Sequence, residues 1–126
     1  MLPAATVAAM LQVDFESMRI TRREGGRVHA RPTVLSAAPA RAHGRRVLLV
    51  DEIATSGDTM RLALASVRDA GPAEVRTATS FIRPGGYHPD FWALETDQLI
   101  VFPWDREVID RGERVTPPIY SGPYIE

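Results

Sequence analysis

Thirteen consecutive residues carry most of the chemistry in this chain: Val47-Leu48-Leu49-Val50-Asp51-Glu52-Ile53-Ala54-Thr55-Ser56-Gly57-Asp58-Thr59. An apolar run ends in two acids, Asp51 and Glu52. A small, hydroxyl-rich turn follows and leads into a helical pattern. Buried strands of open α/β sheets aim their C-terminal ends at the ligand crevice. The turn supplies backbone N–H groups and the hydroxyls of Thr55, Ser56 and Thr59 at the positive end of a helix dipole, which is a cradle for a phosphate. The acids cannot hold that phosphate, because like charges repel. They can accept hydrogen bonds from sugar hydroxyls or help to hold magnesium. The string therefore asks for a ligand with a phosphate at one end and a diol or metal at the other, as in a sugar phosphate. It is not a Walker loop, since no Gly-Lys-Ser/Thr follows, and it lacks the three glycines of a dinucleotide fingerprint.

These residues need a scaffold. Arg46–Val50 reads as a central parallel strand covered on both faces. Gly57–Ala70 reads as an amphipathic helix. Met60, Leu64 and Val67 stack at helical spacing with Ala63 and Ala70 beside them, and Arg61 and Arg68 face outward. Thr55 or Ser56 is placed to cap it, and Gly71-Pro72 stops it. Glu74–Ile82 reads as a strand with Val75, Thr77, Thr79 and Phe81 on one face. Arg83–Pro89 is a Gly/Pro loop, and Gln98–Phe102 reads as the last strand.

Upstream, Pro3 suits the first turn of a helix running to Leu11, apolar enough to be buried on most sides. Val13–Ile20 reads as a strand with Phe15, Met18 and Ile20 inward. Arg22–Gly26 reads as a turn and Val28–Leu35 as a strand, with Pro32 demanding an edge or a bulge. The tail from Thr116, with Pro117, Pro118 and Pro123, reads as extended. The pattern predicts an α/β protein, an open, mostly parallel Rossmann-like sheet flanked by helices, as one domain over residues 1–126.

Composition narrows the classes. With 126 residues, 44% hydrophobic and 25% charged, the chain has the makings of an ordinary globular core. A net charge of -1 gives no global field for nucleic acid or membrane. No cysteine is present, which excludes disulfides, thiol nucleophiles and thiolate metal sites. All 15 basic residues other than histidine are arginine, so no lysine is available for catalysis. His29, His43 and His88 show no metal-ligand spacing. No apolar stretch approaches the ~20 residues of a membrane span. A cytoplasmic protein is the expectation.

The Val47–Thr59 string resembles the ribose-phosphate signature of the type I phosphoribosyltransferases. Phe81-Ile82-Arg83-Pro84, Pro89-Asp90-Phe91-Trp92, Glu95-Thr96-Asp97 and Ile100-Val101-Phe102-Pro103-Trp104-Asp105 resemble that family's purine branch, which salvages hypoxanthine, guanine or xanthine. Leu2-Pro3-Ala4-Ala5 is similar to the helix after the family's pyrophosphate loop. The resemblance implies transfer of phosphoribosyl from phosphoribosyl pyrophosphate to a purine base, with release of pyrophosphate and dependence on magnesium. It implies a homo-oligomer, dimer or tetramer, with no nucleic-acid or membrane partner.

By the same resemblance, Asp51 and Glu52 hold the ribose diol, and residues Ile53, Ala54, Thr55, Ser56, Gly57, Asp58 and Thr59 complete the phosphoribose site. Arg83, Leu99 and Ile100 form the nucleobase pocket, and Asp105 is the magnesium candidate. Asp51, Glu52 and Thr55 are the catalytic candidates. Arg83 stands where the purine enzymes usually carry a lysine, and Leu99 where an aromatic usually stacks on the base. Thr55 stands where they usually carry the aspartate that handles the proton on the base nitrogen, and threonine is not a general base near neutral pH. The alternative is a non-catalytic relative that binds a nucleotide 5′-phosphate. The family's first strand and pyrophosphate loop would precede Leu2, so the chain reads as N-terminally short. Arg22, Arg23, Arg27 and Arg31 fall where the family has a mobile hood and read as a solvated hairpin.

Overall fold

The computed structural model describes residues 1–24 and 27–117, with the side chains of 22–29 outside the description. These residues form two compact units, Met1–Thr96 and a second beginning at Asp97, each described by itself.

The first unit is built on a three-stranded parallel sheet in the order β3 (Arg46–Ala54), β4 (Glu74–Ile82), β5 (Phe91–Glu95). Helix α2 (Asp58–Asp69) crosses from β3 to β4. It buries Met60, Ala63 and Val67, as its apolar spacing requires, and leaves Arg61 and Arg68 outside. Its cap differs from expectation. Gly57 occupies the N-cap with no side-chain hydrogen bond, and Ser56 Oγ accepts the Asp58 N–H at 3.4 Å. Thr77 and Thr79 are buried on β4, as is Ile82 on its other face.

Strand β3 is longer than its apolar run. The ladder to β4 continues through Ile53↔Phe81 and Ala54↔Ile82. Asp51 and Glu52 therefore stand inside the strand rather than past its end, because the paired backbone tolerates acids that are half exposed at the sheet's rim. Successive side chains in a strand alternate faces, so the two carboxylates leave the sheet on opposite sides.

The expected strand at Gln98–Phe102 is not formed; β5 takes its place beside β4. The reason lies at Asp90. Its carboxylate accepts the Thr77 N–H at 2.8 Å and the Thr77 hydroxyl at 3.0 Å, and its own N–H donates to Thr77 Oγ1 at 3.0 Å. This clasp sets Phe91 against Ala78 and starts the ladder. The Thr77 hydrogen bonds, with Arg76 adding to them, hold the Asp90 carboxyl below its ordinary 3.8. A carboxyl lowered in the folded state stabilises above its unfolded pKa, and that stability is lost as pH falls through the folded value. Asp90→Asn is accordingly expected to lower stability near neutrality and to flatten the loss below about pH 4, read by urea unfolding at several pH values.

Helix α1 (Leu2–Leu11) packs against β3, with Pro3 in its first turn. Only Ala8 is buried; Leu2, Met10 and Leu11 are exposed. The expected burial on most sides fails because, among the described residues, the helix packs chiefly on one strand, β3. The strand expected at Val13–Ile20 begins only at Arg19: β1 (Arg19–Glu24) pairs antiparallel with β2 (Arg27–Ser36). Phe15 is exposed, while Met18 and Ile20 are half-buried. Residues expected as a turn are strand up to Glu24, because the antiparallel pairing reaches Glu24↔Arg27. The expected irregularity at Pro32 is present, as the register shifts between Thr21↔Thr33 and Arg23↔Val28. The Arg22, Arg23 and Arg27 side chains and the tail from residue 118 lie outside the described residues; Arg31 is exposed.

The second unit holds a 3-10 turn (Pro103–Asp105) and a small hairpin, β6 (Val108–Asp110) with β7 (Glu113–Val115), which the sequence pattern did not predict. Phe102 and Trp104 stack with ring centroids 4.9 Å apart.

Candidate functional site

The turn Thr55-Ser56-Gly57 joins the end of β3 to the start of α2. Its backbone is held from one side. Ala54 C=O accepts the Arg83 N–H at 3.1 Å, and Thr55 C=O accepts the Tyr87 N–H at 2.9 Å. Ser56 C=O accepts a hydrogen bond from the Arg61 guanidinium at 2.9 Å. In a planar trans peptide the C=O and N–H point in opposite directions. With three successive carbonyls turned toward residues 61, 83 and 87, the N–H groups of Thr55, Ser56 and Gly57 turn to the other side. Successive amides around a left-handed residue make an anion-binding concavity, here at the positive end of α2.

Two glycines make this packing possible. Gly57 has φ +85°, and a Cβ there would lie 2.5 Å from Cβ and Cγ of Tyr87. A Cβ on Gly86 would lie 2.4 Å from the Thr55 carbonyl oxygen. The Arg83–Tyr87 loop thus sits directly behind the turn. The Arg61 guanidinium lies 5.1 Å from the Tyr87 ring centroid and 3.5 Å from the Asp58 carboxylate. Sequence reasoning missed Tyr87, Gly86 and Arg61. The Gly-Gly-Tyr triplet at the loop's end was the available signal, since adjacent glycines permit a close backbone approach.

Asp51 is half-buried, and its Oδ1 accepts the Glu52 N–H at 2.8 Å. Glu52 is half-buried and lies 3.6 Å from the Met1 ammonium. Thr55, Ser56 and Asp58 are exposed, Ile53 and Thr59 half-buried, Ala54 and Gly57 buried. The site residues from Asp51 to Thr59 and Arg83 thus fall in one unit. Arg83 is half-buried and its guanidinium donates to Thr96 C=O at 3.0 Å. Leu99, Ile100 and Asp105 belong to the second unit, where Leu99 is exposed and the other two are half-buried. Among the described residues no group of three His, Asp or Glu side chains could enclose a metal ion. Asp105 is a single carboxylate on a 3-10 turn and does not by itself fit a resident ion.

A parallel sheet with its crossover helix, joined by the Thr55–Gly57 turn where strand meets helix, makes this an α/β protein of the type I phosphoribosyltransferase fold. The chain belongs to the phosphoribosyl transferase domain family, whose model matches residues 1–112 and so runs through both units. Its fold is similar to that of the purine phosphoribosyltransferase from Pyrococcus horikoshii, at 22% identity and a TM-score of 0.71, covering 87% of this chain and 74% of that one. It is also similar to the xanthine-guanine-hypoxanthine phosphoribosyltransferase of Helicobacter pylori, at 20% identity and a TM-score of 0.70, covering 82% and 69%. A hypothetical protein from Neisseria gonorrhoeae, solved with bound ppGpp, is similar at 21% identity and a TM-score of 0.66, covering 82% and 67%. No curated protein matches the chain. No helix among the described residues is long and apolar enough to cross a membrane.

Proposed function

We propose that this protein transfers phosphoribosyl from phosphoribosyl pyrophosphate to a purine base, releasing pyrophosphate. The observation that carries the proposal is the turn at Thr55–Gly57, with its carbonyls engaged behind it and its amides turned away from them. The 5′-phosphate rests on those amides, and the Thr55, Ser56 and Thr59 hydroxyls donate beside them. Asp51 lies four residues before Thr55 on β3 and accepts from the ribose hydroxyls. Glu52, on the opposite face of the strand, needs the sugar to reach around the strand end or a rotation of its own side chain.

Positive charge grows on the ribose ring as the pyrophosphate leaves, as in glycoside cleavage. A carboxylate at the sugar stabilises that charge in the transition state more than in the ground state. Magnesium enters as part of the substrate, on the pyrophosphate oxygens, and neutralises the leaving group. Arg83 donates to an exocyclic oxygen of the base, as a planar fork rather than a point charge. The protein works in the cytoplasm, in nucleotide salvage, as a homo-oligomer.

One observation favours a second reading, a nucleotide 5′-phosphate binder without turnover. The exposed residue opening the turn is Thr55, which cannot take a proton at neutral pH. Both readings share one test. Phosphoribosyl pyrophosphate with magnesium, or a purine 5′-monophosphate, raises the melting temperature; ligand at 100 times its Kd stabilises by about 2.7 kcal/mol. No rise at millimolar ligand rejects both. Asp51→Asn is expected to weaken phosphoribosyl pyrophosphate about 10- to 150-fold, the equivalent of one charged hydrogen bond, in calorimetric titration.

A further inference from the structure

We infer that Arg61 and Tyr87 are positioning residues, which hold the Thr55–Gly57 turn with its amides toward the phosphate. The inference rests on the phosphoribosyl reading for the identity of the ligand and on geometry for everything else.

An isolated turn of small residues has no reason to keep its amides on one side. Each peptide plane can flip, and a flipped plane offers a carbonyl oxygen, which repels a phosphate. Two of the three planes are secured by backbone partners, the N–H groups of Arg83 and Tyr87. The third, between Ser56 and Gly57, is secured by a side chain, the Arg61 guanidinium at 2.9 Å from Ser56 C=O. It is the plane most in need of a partner, because glycine, with no Cβ, sets the weakest intrinsic limit on its own rotation.

Arg61 is itself an exposed, flexible side chain one turn into α2. Two neighbours hold it in place. The Tyr87 ring lies 5.1 Å below its guanidinium, and the Asp58 carboxylate lies 3.5 Å to the side. The ion pair also offsets the negative charge that Asp58 brings to the helix start. Tyr87 does a second thing, since its Cβ and ring edge press against the bare Gly57 Cα and leave the residue no room to swing backward. The chain thus uses one tyrosine to restrain Gly57 by contact and the Ser56–Gly57 plane through Arg61.

The test uses 15N relaxation on the ligand-free protein, with four variants. In the parent, Thr55, Ser56 and Gly57 are expected at the rigid-backbone order parameter of about 0.85, and Arg61→Met and Tyr87→Leu lower them below about 0.6. Arg61→Lys restores a donor and Tyr87→Phe restores the ring, and both are expected to keep the order of the parent. Magnesium phosphoribosyl pyrophosphate then binds about tenfold more weakly to the Met and Leu variants, the loss of one charge-assisted hydrogen bond. Tyr87→Leu changes no charge, so its loss of affinity is not an electrostatic effect.

Unchanged order parameters in Arg61→Met and Tyr87→Leu overturn the inference. So does a looser turn that binds as tightly as before. A parent protein that binds no phosphoribosyl pyrophosphate, while its turn loosens in the variants as described, overturns the phosphoribosyl reading and supports the brace. Should Tyr87→Leu fail to fold, Arg61→Met decides alone, because its side chain is on the exposed face of α2.

Discussion

Replacing Thr55 by aspartate is expected to raise purine-dependent release of pyrophosphate by about 100-fold or more, the usual worth of a positioned general base. Thr55 opens the turn, and its carbonyl is tied to the Tyr87 N–H, so the backbone at this position is fixed before any ligand arrives. Its side chain is exposed, so a carboxylate there loses little hydration and stays ionised at neutral pH. A purine nitrogen that becomes bonded to the ribose carbon must shed its proton, and a carboxylate can take it where a hydroxyl cannot. The opposing effect is repulsion between the new charge and the 5′-phosphate. At an exposed position water screens that repulsion to about 1 kcal/mol, less than the gain. Pyrophosphate release is measured with guanine, hypoxanthine and xanthine in turn, with magnesium throughout. A variant that still binds nucleotide yet gains no turnover with any of the three leaves the non-catalytic reading as the better one.

Gly57→Ala is expected to cost about 2–6 kcal/mol of stability and to abolish measurable phosphate binding. Two penalties add. A non-glycine residue held at φ +85° is strained by roughly 1–3 kcal/mol. The new methyl also meets the Tyr87 side chain at 2.5 Å, a distance that forces the loop away, and overpacking of this kind costs about 1–3 kcal/mol. Against a total stability of roughly 5–15 kcal/mol this is a large fraction, and at roughly 3–6 °C per kcal/mol for a domain of this size it should lower the melting temperature by roughly 6–36 °C. Urea unfolding gives the energy, and titration with phosphoribosyl pyrophosphate gives the binding. A variant within about 0.5 kcal/mol of the parent, with normal affinity, would mean that the turn does not need this backbone conformation.

What was legible in the sequence is what neighbouring residues decide among themselves. Helix α2 followed from Met60, Ala63 and Val67 at helical spacing, because an amphipathic repeat can bury its apolar side in only one way. The start of β3 and the whole of β4 followed from β-branched and apolar runs bounded by turn residues. The Asp51–Thr59 string placed a strand-to-helix junction there, because an apolar run, two acids and a small hydroxyl-rich turn with one glycine must leave a strand and open a helix.

Long-range competition decided the rest. Leu99-Ile100-Val101-Phe102 has better strand chemistry than Phe91–Glu95, yet β5 forms where Asp90 clasps Thr77, thirteen residues away, and intrinsic strand preference yields to such pairing. Nothing local indicates that β3 runs on to Ala54; that depends on Phe81 and Ile82 lying opposite Ile53 and Ala54. The apolar residues of α1 promised burial, but burial needs a second surface, and β3 supplies only enough for Ala8. The orientation of the Thr55–Gly57 turn was the least legible of all. A peptide plane has no sequence signature for which way it faces; that is set by the partner of its carbonyl, and here the partners come from Arg61, Arg83 and Tyr87, brought together only when α2 and the loop after β4 meet.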